Sequence, residues 1–408
     1  MEFHFTEEQR RLQERARCLA ADFATRAAQH DRDASHPVEN YAALRDAGFY
    51  GLNVPVALGG SGVSLLAWTL AAEALGQGCA STALAFNMHL SIVGPLMESP
   101  LVTSAVKERV ARLVVDERKL IAANFSEPST SGLVGTPVPV TRARRVDGGY
   151  RINGRRAFAS MLEVADYCAV MAYPEGATAP TAAMILLVPR EAAGRKVERV
   201  WDTLGMRATR SDSMTLEECW VPDEALLIQA DDILPFRRHG ANWLWGSYTP
   251  IYLGIAAAAY AAIVEVVRGR TPPGFAQPLA YHPDVRRQVA EMSVDLEAAR
   301  LLTYHSAWQS DTEGPTPATL SALYRAKYFV GETVTRITRT AMTLGGAHAL
   351  LKGSPLERLF RDGAVAPVQF PPRDFCLAGL GLLALDLDPR DVLPPLKAAR
   401  EGTGPIIR

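Results

Sequence analysis

Hydrophobic periodicity changes twice along this chain, and the two changes leave few folds open. From Thr6 to about Ala27 apolar residues recur at helical spacing, with Thr6 placed as a cap and Glu7 and Glu8 in the first turn, where the helix dipole favours them. Pro37 to Ala47 reads as a second helix closed by Gly48, and helical pattern continues through Leu65–Leu75, Ala83–Pro95 and Thr103–Val115. The texture then shifts to short, β-branched, often alternating runs separated by Gly, Asn, Asp and Pro: LIAANF, PVTRARRVDGGYRING, YCAVMAY, TAAMILLVP and DSMTLEECWVP. Beyond Ala230 long Ala- and Leu-rich helical segments return, at Trp243–Arg268, Pro283–Ser310, Pro317–Thr343 and Leu356–Asp362. The predicted organisation is a helical domain over 1–118, a β-domain over 119–228 and a helical bundle over 229–408.

Charge and cysteine usage narrow the function classes. The 43 Lys and Arg against 44 Asp and Glu give a formal charge of −1, which provides no electrostatic drive toward nucleic acid or an anionic membrane. Five scattered cysteines without a C-x-x-C pair encode neither a disulfide framework nor a zinc site. The start, MEFHFTEEQRRLQERAR, is charged and amphipathic and does not read as a secretory signal. The longest apolar run, Leu253 to Val267, is interrupted by Glu265 and falls short of the ~20 residues a bilayer span needs. The expectation is a cytoplasmic protein with no nucleic-acid partner and no membrane insertion.

Local motifs along nearly the whole chain resemble the acyl-CoA dehydrogenases. FTEEQRRLQERAR and LRDAGFYGLNVPVALGGSGVS look like that family's first helix and its Pro/Gly-Gly turn. ANFSEPSTSG resembles its Thr-Glu-Pro strand end, where a hydroxyl and main-chain N–H groups meet a flavin ring; Phe125 and Ser126 take those places, and Glu127 takes the place of a carboxylate that braces the strand end. INGRRAFAS is similar to the Asn-Gly-x-Lys-x-Trp-Ile-Thr strand, so Phe158 and Ser160 would lie against the isoalloxazine. LGGAHALLKGSPLERLFRD resembles the Gly-Gly turn before the family's Arg-Asp helix, which places Gly345 and Gly346 near a dinucleotide phosphate in a neighbouring subunit; Arg270 sits near the pyrophosphate-binding arginine, although Thr271, Pro272 and Pro273 replace the Phe-Gly that follows it. The resemblance implies an α+β fold with an N-terminal helical domain, a central β-barrel domain and a C-terminal four-helix bundle, FAD as cofactor, and a homo-oligomer, dimer or tetramer.

The sequence departs from the family at its chemistry. Removing a proton from Cα of a thioester calls for a carboxylate of raised pKa. The Glu expected after the Arg-Asp helix is replaced by Phe370 in VQFPPRDF, and the alternative place, near Leu244 and Trp245, has no carboxylate either. Asp374 is a displaced candidate base and Arg373 a candidate holder of an anionic substrate group. His89, in FNMHLSIVGPL, is either a donor to a carbonyl or flavin peroxide, or an interior histidine with its hydrogen bonds satisfied. His348 either touches FAD or faces solvent, and Trp243, Tyr248 and Tyr252 at helical spacing line a pocket or belong to ordinary core. The candidate catalytic residues are therefore Asp374, His89 and Arg373.

Three functions are compatible with this pattern. The first is oxidation of an acyl thioester on CoA or a carrier protein, with electron-transfer flavoprotein or O2 as acceptor. The second is a flavin monooxygenase or oxidase, a branch of the fold whose Gly-Gly turn resembles GGAHALLKGSP but which carries His at the position of Gln369. The third is a scaffold that has lost its flavin, suggested by Met342 in place of a flavin-contact Gln.

Overall fold

The computed structural model describes residues 5–129 and 139–387. Helix α1 (Glu7–Asp33) starts at a capping box: Thr6 Oγ1 accepts from the Gln9 N–H and Gln9 Oε1 accepts from the Thr6 N–H. It runs one and a half turns beyond its sequence-predicted end and stops at Ala34, whose φ is +45°. Helix α2 (Val38–Asp46) is closed by Gly48 at φ +76°, as the glycine predicts.

The stretches predicted as separate helices around Leu75 and Ala83 form one element, α3 (Leu65–Glu98), bent at Cys79 (φ −148°, ψ 93°). Helix α4 (Ser104–Ala111) follows. Almost all of α3 is buried, which explains an apolar character that pattern alone could confuse with a membrane span.

The strands are β1 (Ile121–Asn124), β2 (Arg142–Val146), β3 (Gly149–Ala159), β4 (Tyr167–Pro174), β5 (Ala183–Pro189), β6 (Arg195–Glu198), β7 (Asp212–Pro222) and β8 (Leu226–Ala230). Their order is β6-β7-β3-β2-β4-β5-β8, with β1 added in parallel to β4. The Asp147-Gly148 turn, Gly148 at φ +73°, makes a β2–β3 hairpin within the run PVTRARRVDGGYRING. Strands β6 and β8 escaped the sequence reading: β6 is the charged tetrapeptide RKVE, with no apolar alternation to mark it.

The C-terminal helices are α5 (Leu234–His239), α6 (Ala241–Leu244), α7 (Thr249–Gly269), α8 (Pro283–Glu313), α9 (Pro317–Gly345), α10 (Pro355–Gly363) and α11 (Arg373–Ala384). The segment predicted as a single helix from Trp243 breaks at Trp245 (φ −127°, ψ −40°). The two helical blocks are not independent: residues of α1, α3, α7, α8 and α9 share one hydrophobic core, and the β-domain forms a second with the end of α3 and with α4. Two glycines allow the central crossing, because a Cβ at Gly76 would lie 2.4 Å from Ile251 O and one at Gly254 2.4 Å from Glu73 O.

Candidate functional site

Two strand ends meet at one corner of the β-domain. Strand β1 runs out into Phe125 and Ser126, and the Ala157 N–H of β3 donates to Ser126 O at 3.1 Å, so the two motifs singled out in the sequence are joined by main chain. The joint is locked from inside. Glu127, buried, accepts from the Val140 and Thr141 N–H groups at 2.7 and 2.8 Å and pairs with the fully buried Arg156 at 3.2 Å. Arg156 also donates to Phe125 O and to Met171 O; burial pushes its pKa down to about 10, with Glu127 opposing the shift. Glu127 thus braces the strand end, the role the resemblance assigns to it.

Phe158 stands on this corner with 69% of its surface exposed and φ +53°. A left-handed φ is costly for an aromatic residue, and β3 shifts register against β7 between Arg156 and Ala159 to accommodate it. An exposed ring held in this conformation, edge-on to Trp201 at 6.2 Å, is a ready stacking surface for a planar ligand. Ser160, buried, lies within 2.7 Å of Ser211 Oγ. The residues present therefore fit a flavin ring: an exposed aromatic face, a strand end and a hydroxyl, all fixed by buried partners.

A second group assembles where α7 and α9 end. Arg270, the last-turn cap of α7, donates to Gly345 O at 3.3 Å; Gly346 has φ +67°, and a Cβ there would come within 3.9 Å of Arg270 Nη1. Arg270, Gly345 and Gly346 are thus brought together although 75 residues separate Arg270 from Gly345. No hydrogen bond among the described residues ties this corner to Phe158 and Ser160 of the same chain. His348 lies in the exposed turn after it.

The positions where a carboxylate was sought are filled by aromatic rings. Trp245 stacks on Tyr324 (5.8 Å) and meets Phe370 and Phe375 edge-on at 6.2 and 6.4 Å; Phe370 and Phe375 are 4.9 Å apart. Lys327 lies beneath, its Nζ donating to Ala366 O at 2.7 Å and to Gln369 O at 3.0 Å, and burial pushes its pKa down to about 8. Arg237 of α5 is half-buried beside this cluster; burial lowers its pKa, and Tyr324 is its electrostatic neighbour.

Three sequence candidates sit apart from this cluster's interior or are otherwise engaged. Asp374 occupies the exposed first turn of α11 and pairs with Arg373 at 2.7 Å, while Arg373 also reaches Glu332 at 3.2 Å. Both residues belong to the first turn of that helix, which Pro372 at the N-cap precedes. His89 is fully buried and both ring nitrogens are taken: Nε2 lies 2.8 Å from Tyr50 O, and Nδ1 accepts from the Ile121 N–H at 3.0 Å. Burial pushes its pKa down to about 4, so the ring is neutral and splices α3 to β1, which is the interior-histidine alternative.

Of the aromatic trio, Trp243 donates to Glu98 at 2.6 Å, and all three residues are buried in the shared core. Asp362 lies 3.9 Å from Arg358 and accepts from the Met206 N–H at 2.6 Å. Arg361 pairs with Asp31 and Glu357. Sequence reasoning missed Arg156, Trp201, Ser211 and Lys327; Lys327 shares its helix with Arg325, Glu332, Arg336 and Arg339, so its charge alone did not single it out.

Comparisons with known proteins bear on these features. Residues 6–116 match the acyl-CoA dehydrogenase N-terminal domain, 122–219 the middle domain and 247–368 the C-terminal domain. YdbM of Bacillus subtilis is 31% identical over 373 residues, covering 90% of this chain and 94% of that protein. Benzylmalonyl-CoA dehydrogenase of Aromatoleum aromaticum is 28% identical over 370 residues, covering 89% and 94%. The structure of KijD3 in complex with FMN and a dTDP-linked amino sugar superposes with a TM-score of 0.83 at 25% identity, covering 94% of this chain and 95% of that one. With a braced, aromatic-faced strand corner in its middle domain and helical domains on either side of it in sequence, this chain belongs to the acyl-CoA dehydrogenase family of flavoenzymes.

Proposed function

We propose that this protein is an FAD-dependent oxidoreductase acting on an acyl thioester, carried on CoA or a carrier protein, with no carboxylate from the Phe370 or Trp245 positions taking part. The observation that carries the flavin half of this reading is the corner where Phe125, Ser126, Phe158 and Ser160 are held by the buried Arg156–Glu127 pair. The thioester half rests on relatives such as benzylmalonyl-CoA dehydrogenase. A bound flavin would supply two-electron acceptance. Phe158 would stack on its ring, Ser160 would hydrogen-bond its edge, and Arg270 with the Gly345-Gly346 turn would hold phosphate oxygens, in a second copy if the protein is a dimer or tetramer. The aromatic cluster would line the apolar part of the substrate and Arg237 would offer it a cation. The Cα proton leaves to water or to a group of the substrate.

One observation favours a second reading. Four aromatic rings where the base would stand suit a flavin monooxygenase or oxidase, which activates O2 and needs no Cα base; KijD3, bound to FMN, shares the fold. The test is anaerobic addition of a panel of acyl-CoAs to purified protein, followed by air. Bleaching of the flavin bands by a thioester supports the first reading. Flavin that stays oxidised with every thioester, but after reduction by NADH and a reductase forms a hydroperoxide band in air, overturns it in favour of the second.

A further inference from the structure

Ser160 does not stand alone. Its Oγ lies 2.7 Å from Ser211 Oγ, Ser211 Oγ lies 2.9 Å from Thr209 Oγ1, and Thr209 Oγ1 donates to Met206 O at 2.9 Å. All three hydroxyls are buried, so water cannot readily replace a lost partner. Met206 is itself fixed: its N–H donates to the buried Asp362, and its carbonyl also accepts from the Thr209 N–H at 3.1 Å and from Trp201 Nε1 at 3.2 Å. Trp201 is the residue that meets Phe158. The chain of hydroxyls therefore runs from the flavin corner to an anchored carbonyl.

Each hydroxyl carries one proton, so such a chain has two polarities. In the inward one, Ser160 donates to Ser211, Ser211 to Thr209 and Thr209 to Met206 O, which leaves Ser160 with lone pairs facing out. In the outward one, Thr209 donates to Ser211 and Ser211 to Ser160, Ser160 directs its proton out, and the bond to Met206 O is lost. The inward polarity holds one more internal hydrogen bond and is the resting state; successive bonds polarise one another, so the three hydroxyls reverse together. Reduction of an isoalloxazine turns N5 from an acceptor into an N–H donor. We propose that Ser211 and Thr209 are positioning residues that set the direction of the Ser160 hydroxyl toward a bound flavin, and that their resting polarity favours the reduced form. This rests on the reading that a flavin lies at Phe158 and Ser160.

The test compares flavin affinity and midpoint potential in wild type, Thr209→Val, Ser211→Ala and Thr209→Ser, using protein stripped of flavin and titrated with FAD. In Thr209→Val the donor to Met206 O is gone and Ser160 is free to donate outward. The ratio of reduced-flavin to oxidised-flavin dissociation constants is expected to rise about tenfold, a potential about 30 mV lower. Thr209→Ser, which keeps the hydroxyl, should stay within about twofold of wild type. Ser211→Ala deletes one oxygen and should lower the potential in the same direction, which keeps the test available if the valine variant does not fold. Potentials within about 5 mV of wild type in both Thr209→Val and Ser211→Ala overturn the proposal while leaving the flavin reading intact. Wild-type protein that binds no flavin, or a Ser160→Ala variant whose bound flavin has an unaltered spectrum and potential, overturns the flavin placement and the proposal with it.

Discussion

Trp245 and Phe370 stand edge to face, 6.2 Å between ring centroids and 66° between planes, and they are the two positions, 125 residues apart, at which a catalytic carboxylate was sought. Their contact shows that the two places are one place in the fold, reached from the start of the bundle and from the segment before α11. In this chain both carry aromatic rings.

Phe370→Glu tests that convergence. A carboxylate placed against Trp245 and Phe375 is desolvated and acquires a raised pKa, the property a Cα base needs. Under the thioester reading, anaerobic flavin bleaching by a saturated acyl-CoA should be at least about tenfold faster than in wild type, a change of about 1.4 kcal/mol in barrier. An unchanged rate in a variant that retains its flavin shows that the substrate Cα lies elsewhere.

Glu127→Ala should unfold more easily and lose flavin together. It leaves Arg156 charged and buried without its carboxylate and frees two main-chain N–H groups, a loss of about 3–5 kcal/mol readable by urea denaturation. A stability within 1 kcal/mol of wild type, on the order of a surface change, contradicts the brace.

Asp362 has its pKa pushed up to about 6 by burial, so the folded state holds its proton more tightly than the unfolded chain does. Its contribution to stability is present below the unfolded value near 4 and is lost as pH rises through about 6, by up to about 3 kcal/mol. Asp362→Asn should remove that descending limb from a stability–pH profile while keeping an acceptor for the Met206 N–H; an unaltered limb sinks the assignment.

His89 has the opposite sign. Its folded pKa is pushed down to about 4 from an ordinary value of 6.5, so stability is lost as pH falls from about 6.5 toward 4, where the unfolded chain takes up the proton first. His89→Leu should flatten that acid limb and cost about 2–4 kcal/mol at pH 7 by orphaning Tyr50 O and the Ile121 N–H. If His89 is a splice and not a catalyst, kcat of the folded fraction should stay within about threefold of wild type. A loss of activity of about a hundredfold with unchanged stability returns it to the chemistry.

Arg270→Met separates FAD from FMN. If the guanidinium holds a pyrophosphate, FAD affinity should drop about tenfold while FMN affinity changes little, measured by quenching of flavin fluorescence. Equal losses for both flavins, or none for either, contradict that role.

Much of the architecture was legible in the sequence. The Thr6 cap and the Gly48 stop are local events, decided by residues within a few positions of one another, and sequence carries such information directly. The motifs at Phe125–Glu127 and Phe158–Ser160 were legible as motifs. Their meeting through Ser126 O and Ala157 N, and the burial of Arg156 that secures it, were not, because 31 residues separate the carbonyl of Phe125 from the guanidinium that reaches it.

The sequence by itself determined the helix–strand–helix order and the loss of a carboxylate at Phe370. Only the tertiary structure decided that His89 spends both ring nitrogens on main chain, that Asp374 lies exposed in a helix turn, that Trp245 faces Phe370, and that Ser160 is the end of a three-hydroxyl chain. The physical reason is shared by all four: a side chain's chemistry is set by its burial and its hydrogen-bond partners, and here those partners come from elements far away in the chain.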